Sequence, residues 1–246
     1  MFDASIDLVI LVTFLIAGTV KGVIGLGLPS VSLALLTVAI DLPSAMALLL
    51  VPSTLTNLWQ AAVGGNFQAI LRRMWPFLLM AVVTVWGGAT ALTRVDLSLL
   101  SALLGVLLIA YSMMNLAGLH MSVSLRHEVW IGPLLGAANG ILTGMTGSFV
   151  VPGVLYLQAI GLSRDMLIQA MGVLFTASTL ALALALQGNG LLTVELGKMS
   201  TIALIPAIIG MILGQRIRKL LPDKQFRRVF FVSLLMLGVY IISKLI

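Results

Sequence analysis

The sequence predicts an all-α polytopic membrane protein. It is built from two inverted-topology repeats, each a broken-helix hairpin followed by three transmembrane helices. Three observations lead there. The 246 residues are 60% hydrophobic and 9% charged, with a mean hydropathy of +1.16. A soluble chain is about half apolar and about a quarter charged, so these residues could not cover a water-facing surface. The apolar runs are long and unbroken, as at 97–119, which excludes the alternating segments of about ten residues that build an outer-membrane barrel. A Gly-rich, Pro-terminated break occurs twice.

Taken in order, the apolar runs predict helices at 5–20, 30–40, 44–63, 71–92, 97–117, 129–142, 153–160, 165–187, 191–213 and 227–246. A span needs about 20 residues. The pairs 5–20 with 30–40 and 129–142 with 153–160 fall short of it. Each pair is interrupted by glycines rather than by a charged loop: Gly22-x-x-Gly25-x-Gly27-x-Pro29 and Gly144-x-x-Gly147-Ser148 up to Pro152. Gly18, Gly22 and Gly25 match Gly140, Gly144 and Gly147 at an offset of 122. Gly65-Asn66 matches Gly188-Asn189, and Asp96 matches Asp223 ahead of each final helix. The chain therefore divides into repeat 1 (1–117), a polar linker (118–128) and repeat 2 (129–246).

Orientation follows from Lys and Arg in the short loops. With the basic loop 214–228 in the cytoplasm, Arg72, Arg73, Arg126 and Arg164 also fall inside. Arg94, Lys198 and Lys244 fall outside. Both termini come out external, and the loop before the last helix lies on opposite sides in the two halves, which makes the repeats inverted. That arrangement, with discontinuous helices near the midplane, is common among secondary transporters. The net charge of +6 is then mostly a cytoplasmic-face excess and not a nucleic-acid surface.

The breaks carry the candidate chemistry. An interrupted helix leaves unpaired backbone N–H and C=O groups in the membrane, tolerated only inside protein or beside a water-filled cavity. The helix after each break points its N-terminus inward, where free amides and the dipole favour an anion. The expected binding residues are Lys21, Gly22, Gly25, Gly27 and Ser30 in the first half. In the second they are Asn139, Thr143, Gly144, Thr146, Gly147 and Ser148, with Asn57 added from a later helix of the first half. Gly18-x-x-x-Gly22 and Gly140-x-x-x-Gly144 serve equally as small-residue packing faces. Lys21 is the one cation away from both surfaces, and an intramembrane lysine costs about 2.5–3.5 kcal/mol unless paired or wet. Near a surface it would instead snorkel. Gln60, Gln158 and Gln169 read as interhelical hydrogen-bonders, Trp75, Trp86 and Trp130 as interfacial or packing aromatics, and Glu195 with Lys198 as an i,i+3 pair.

Absences narrow the function. There is no cysteine, no HExxH and no intramembrane nucleophile–base pair, and both histidines (His120, His127) lie in the linker. No catalytic residue, metal or cofactor is expected. Asp41, Asp96, Asp165 and Asp223 fall at helix ends, where they cap. No carboxylate proton relay is visible.

The two Gly/Pro signatures, with Val151-Pro152 closing the second, resemble those of the TauE/SafE family of membrane permeases over essentially the whole chain. The resemblance implies a bacterial inner-membrane transporter of a small sulfur-containing anion: sulfite, or a sulfonate such as sulfoacetate, taurine or isethionate. It leaves substrate and direction open, and also whether the chain forms a homo-oligomer. The expected partners are that anion and the bilayer, with no nucleic acid. An anion channel, or a membrane assembly or scaffold protein, are the rival readings.

Overall fold

A computed structural model describes residues 4–119, 122–218 and 223–244, with Asp223 and Lys224 described by backbone alone. His120 and Lys219 lie outside the described residues, as do the side chains of Asp223 and Lys224. Eleven α-helices follow in order: α1 (Ala4–Ile24), α2 (Leu28–Ala39), α3 (Leu42–Ala62), α4 (Phe67–Val83), α5 (Val85–Ala89), α6 (Leu97–Leu116), α7 (Leu125–Thr146), α8 (Gly153–Ala159), α9 (Arg164–Gly188), α10 (Val194–Ile217) and α11 (Asp223–Ser243). A 3₁₀ turn, Thr90–Thr93, prolongs α5. Among the described residues seven stretches are long and apolar enough to cross a membrane: α1, α3, α4 through the 3₁₀ turn, α6, α9, α10 and α11.

Helix starts follow the capping residues. Asp41 accepts from the Ser44 amide at 2.9 Å ahead of α3, and Asp96 from Ser98 at 2.8 Å ahead of α6. Asp165 instead sits inside the first turn of α9, and Ser163 accepts from Met166. Its carboxylate there complements the helix dipole.

The helix ahead of each break is longer than its sequence predicts. α1 has 21 residues and α7 has 22, because both run through the glycines expected to end them. The reason is packing. A Cβ at Gly18 would strike the Ala207 carbonyl of α10, and one at Gly22 the Met211 carbonyl. At Gly140 it would strike the Ala81 carbonyl of α4, and at Gly144 the Val85 carbonyl of α5. Close helix contact decides these four glycines. The helices stop only where the backbone turns left-handed, at Gly25 (φ 83°) and Gly27 (φ 108°), and at Gly147 (φ 72°).

The chain forms two compact units, each drawing on both sequence halves. One comprises Met1–Pro52, Val95–Leu119 and Leu191–Ile246. In it α1 lies along α10 with both chains running the same way, Gly18 beside Ala207 and Gly22 beside Met211 and Gly214. Also in it, α6 and α11 run antiparallel, with Gly105 against Gly238 and the Tyr111 ring edge-on to Phe231 at 5.3 Å. Pro52 cannot donate to the Leu48 carbonyl, and the Ser200 hydroxyl of α10 donates there instead at 2.8 Å. Ser200 also accepts from the Val51 amide at 3.0 Å, so the proline leaves neither group unsatisfied.

The other unit comprises Ser53–Arg94 and His120–Gly190. Here α7 runs parallel to α4 and α5, with Gly136 beside Phe77, Gly140 beside Ala81 and Gly144 beside Gly88. Arg73 grips Glu128 with two hydrogen bonds (3.0 and 2.6 Å) and the Ile160 carbonyl at 2.7 Å, joining the starts of α4 and α7 to the end of α8. Gln169 accepts from the Asn66 amide and donates to the Ala61 carbonyl, while Gln60 donates to Ile168. These glutamines are the interhelical bonds their sequence context predicts.

Candidate functional site in the two helix breaks

In the first unit, the break between α1 and α2 is three residues long. The Gly25 amide closes the last turn of α1 on the Lys21 carbonyl at 2.8 Å. Left-handed Gly27 is the N-cap of α2 and supplies no side chain to its amides. Pro29 removes one amide from that first turn, and the remainder of Leu28–Ser30 is buried. A buried, uncapped helix start is rare in proteins and leaves donors for a ligand. Phe230 and Val20 crowd Gly27, where a Cβ would come within 3.0 Å of Val20 and 3.2 Å of the Phe230 ring.

Lys21 lies in the last turn of α1, 5% exposed, so it is not snorkelled to a surface. Ser30 is 2% exposed, and its hydroxyl makes no hydrogen bond among the described residues. This unit therefore holds Lys21, Gly22, Gly25, Gly27 and Ser30 of the expected set, with Gly22 engaged in helix contact.

In the second unit, the break is held by side chains of α7. Asn139 Oδ1 accepts from the Gly153 amide at 2.9 Å. Thr143 donates to the Ser148 carbonyl at 3.1 Å, and Thr146 accepts from the Ser148 amide at 3.2 Å while donating to Leu142. With seven residues, α8 is too short to add a useful dipole, and its leading amide is already satisfied. The expected second anion-receptive helix start is therefore absent here, because Asn139 fills it.

Asn139 offers something else. Its oxygen is taken by the Gly153 amide, and its Nδ2 nitrogen is buried without a partner. A buried amide left unpaired costs about 1–3 kcal/mol unless something binds it. The Ser148 hydroxyl also makes no hydrogen bond among the described residues.

Asn57, also fully buried, donates to Ser53 at 2.9 Å, and Ser53 meets Thr179 of α9 at 3.3 Å. Ser178, next to Thr179, also has a buried hydroxyl without a partner. Sequence reasoning missed Ser178: a lone serine in an apolar helix carries no pattern. Among the described residues no group of three His, Asp or Glu could hold a metal.

The profile of one family, described as sulfite exporter TauE/SafE, matches residues 10–241. The chain belongs to the TauE/SafE family. It is a multi-pass membrane transporter of sulfite-type anions and not an enzyme. No curated protein and no solved structure matches the chain.

Proposed function

We propose that this TauE/SafE protein is a secondary transporter that carries sulfite or a small organosulfonate by alternating access, with the helix breaks as its binding elements. The observation that carries the reading is the Asn139 Nδ2 donor, buried and unpartnered beside a helix interruption. Sulfite and sulfonates present three acceptor oxygens on a compact anion. In the second unit Asn139 and the Ser148 hydroxyl are donors of matching chemistry; in the first unit, taken by itself, the Ser30 hydroxyl and the α2 amides are as well. Gly22 and Gly144 enter only as the packing that sets where each break falls. Thr143, Thr146 and Gly147 hold the backbone of the second break, and Gly25 and Gly27 that of the first.

Inverted repeats with a hairpin at the head of each complete the proposal. The helix directions support it. Equivalent helices α6 and α11 run antiparallel, while α1 pairs in parallel with α10, as α7 does with α4. An inverted repeat requires that combination. Both termini outside an inner membrane follows from the basic loops.

The test is radiolabelled sulfite flux in proteoliposomes. Saturable uptake accelerated by internal unlabelled sulfite supports a carrier. Flux that neither saturates nor shows counterflow identifies a channel, and no flux of any sulfur oxyanion refutes the reading.

A further inference from the structure

At one end of the first unit, α2 and α11 finish where α3 and α6 begin. A cavity of about 230 Å³ opens there, lined by Thr37, Asp41, Ser98, Ser101 and Lys244 over an apolar floor that includes Ile241. It has room for roughly seven waters at about 30 Å³ each. None of these residues belongs to the breaks.

Its polar groups are incompletely used. Lys244 donates to the Val38 carbonyl at 2.9 Å, which leaves two of its three ammonium hydrogens. Asp41 spends Oδ1 on the Ser44 amide and keeps its second oxygen. Thr37 Oγ1 is buried without a partner. The Ser101 hydroxyl makes no hydrogen bond among the described residues, while the Ser98 hydroxyl is engaged by the Asp96 carboxylate. The Ser98, Leu99 and Leu100 amides of α6 are already taken by Asp96.

A cation with two idle hydroxyls, those of Thr37 and Ser101, calls for an oxyanion, while a carboxylate in the same wall calls for a cationic donor. A bare anion would face Asp41, and a bare cation would face Lys244. We infer that this cavity binds a zwitterion, its oxyanion held by Lys244 and the hydroxyls and its ammonium by Asp41. A phosphoethanolamine group has this chemistry, either free or as a lipid headgroup. Leu99 and Tyr240, on the helices that line the cavity, are exposed apolar surface suited to acyl chains.

The test uses the purified full chain in ethanolamine-lipid-free nanodiscs, titrated with glycerophosphoethanolamine. Asp41→Asn keeps the cap of α3 while removing the charge, and Lys244→Gln keeps a donor for Val38. Binding is expected in the wild type and at least tenfold weaker in each variant, with thermal midpoints of the unliganded proteins unchanged. Glycerophosphoglycerol, which lacks the ammonium, is expected not to compete. Native mass spectrometry of protein from phosphatidylethanolamine nanodiscs separates the sources: retained lipid marks the headgroup, and binding of the soluble probe alone marks a free zwitterion. The inference is overturned if the variants bind as the wild type does, if glycerophosphoglycerol binds equally well, or if neither source binds.

Discussion

The two helix breaks carry similar glycine patterns in sequence yet are built differently. The first is a bare backbone turn: two left-handed glycines, no side-chain cap, a buried lysine one turn earlier and a 12-residue helix after it. The second is a side-chain-clamped loop: Asn139, Thr143 and Thr146 occupy its amides and carbonyls, and a seven-residue helix follows. What the two share is the packing before the break, Gly18 and Gly22 on α10 matching Gly140 and Gly144 on α4 and α5. The helix contact is alike at the two breaks while the polar equipment differs. Positive charge lies on one side of the comparison, and a neutral amide donor on the other.

The largest expected effect is all-or-none. The chain has no cysteine, so Gln68→Cys and Gln187→Cys can be labelled without altering any other residue. In the inverted arrangement a membrane-impermeant maleimide reaches one of these equivalent loops from each side. Labelling of both from the same side would break the equivalence of the halves.

Next come the shared glycines. Gly18→Val and Gly140→Val should each destabilise by about 3 kcal/mol or more, since the new side chain meets backbone that cannot step aside. Thermal unfolding in detergent measures it, and a large effect in only one would make the packing match superficial. Arg73→Ala should cost about 2 kcal/mol by leaving the half-buried Glu128 and the Ile160 carbonyl without their partner, with no counterpart in the first break.

Asn139→Ala should cost about 2 kcal/mol through the orphaned Gly153 amide, whereas Ser30→Ala should stay within about 0.5 kcal/mol. Equal losses would erase the contrast between clamped and bare breaks.

The smallest effect is at the exposed Asp96 cap. The Ser98 amide holds its carboxyl below the usual carboxylate range. A group so depressed stabilises the fold above its unfolded pKa, and the contribution fades as pH falls through the folded value. The difference in thermal midpoint between wild type and Asp96→Asn should therefore shrink on acidification.

Most helices were legible in the sequence because apolar runs and cap residues report on each helix alone. The start of α7 was not, since Arg126, His127 and Glu128 look like a polar linker until Arg73 neutralises Glu128. Nor was the break in α4 at Thr84, whose hydroxyl sits between the Met80 and Ala137 carbonyls at 2.7 and 2.9 Å. Glycine was the ambiguous letter. Gly22 and Gly25 read alike, yet one needs a missing Cβ and the other a positive φ, and only the partner helix separates these demands. Asn139 was legible as a buried polar residue, but its division into a capping oxygen and an unused nitrogen depends on Gly153, 14 residues away.

The central claim is that the Asn139 donor beside the second break binds the transported anion. Equilibrium binding of sulfite to purified wild type and Asn139→Leu, each first shown to be folded, tests it most directly. The account predicts saturable binding in the wild type and at least tenfold loss of affinity in the variant. Undiminished affinity in the variant would contradict it.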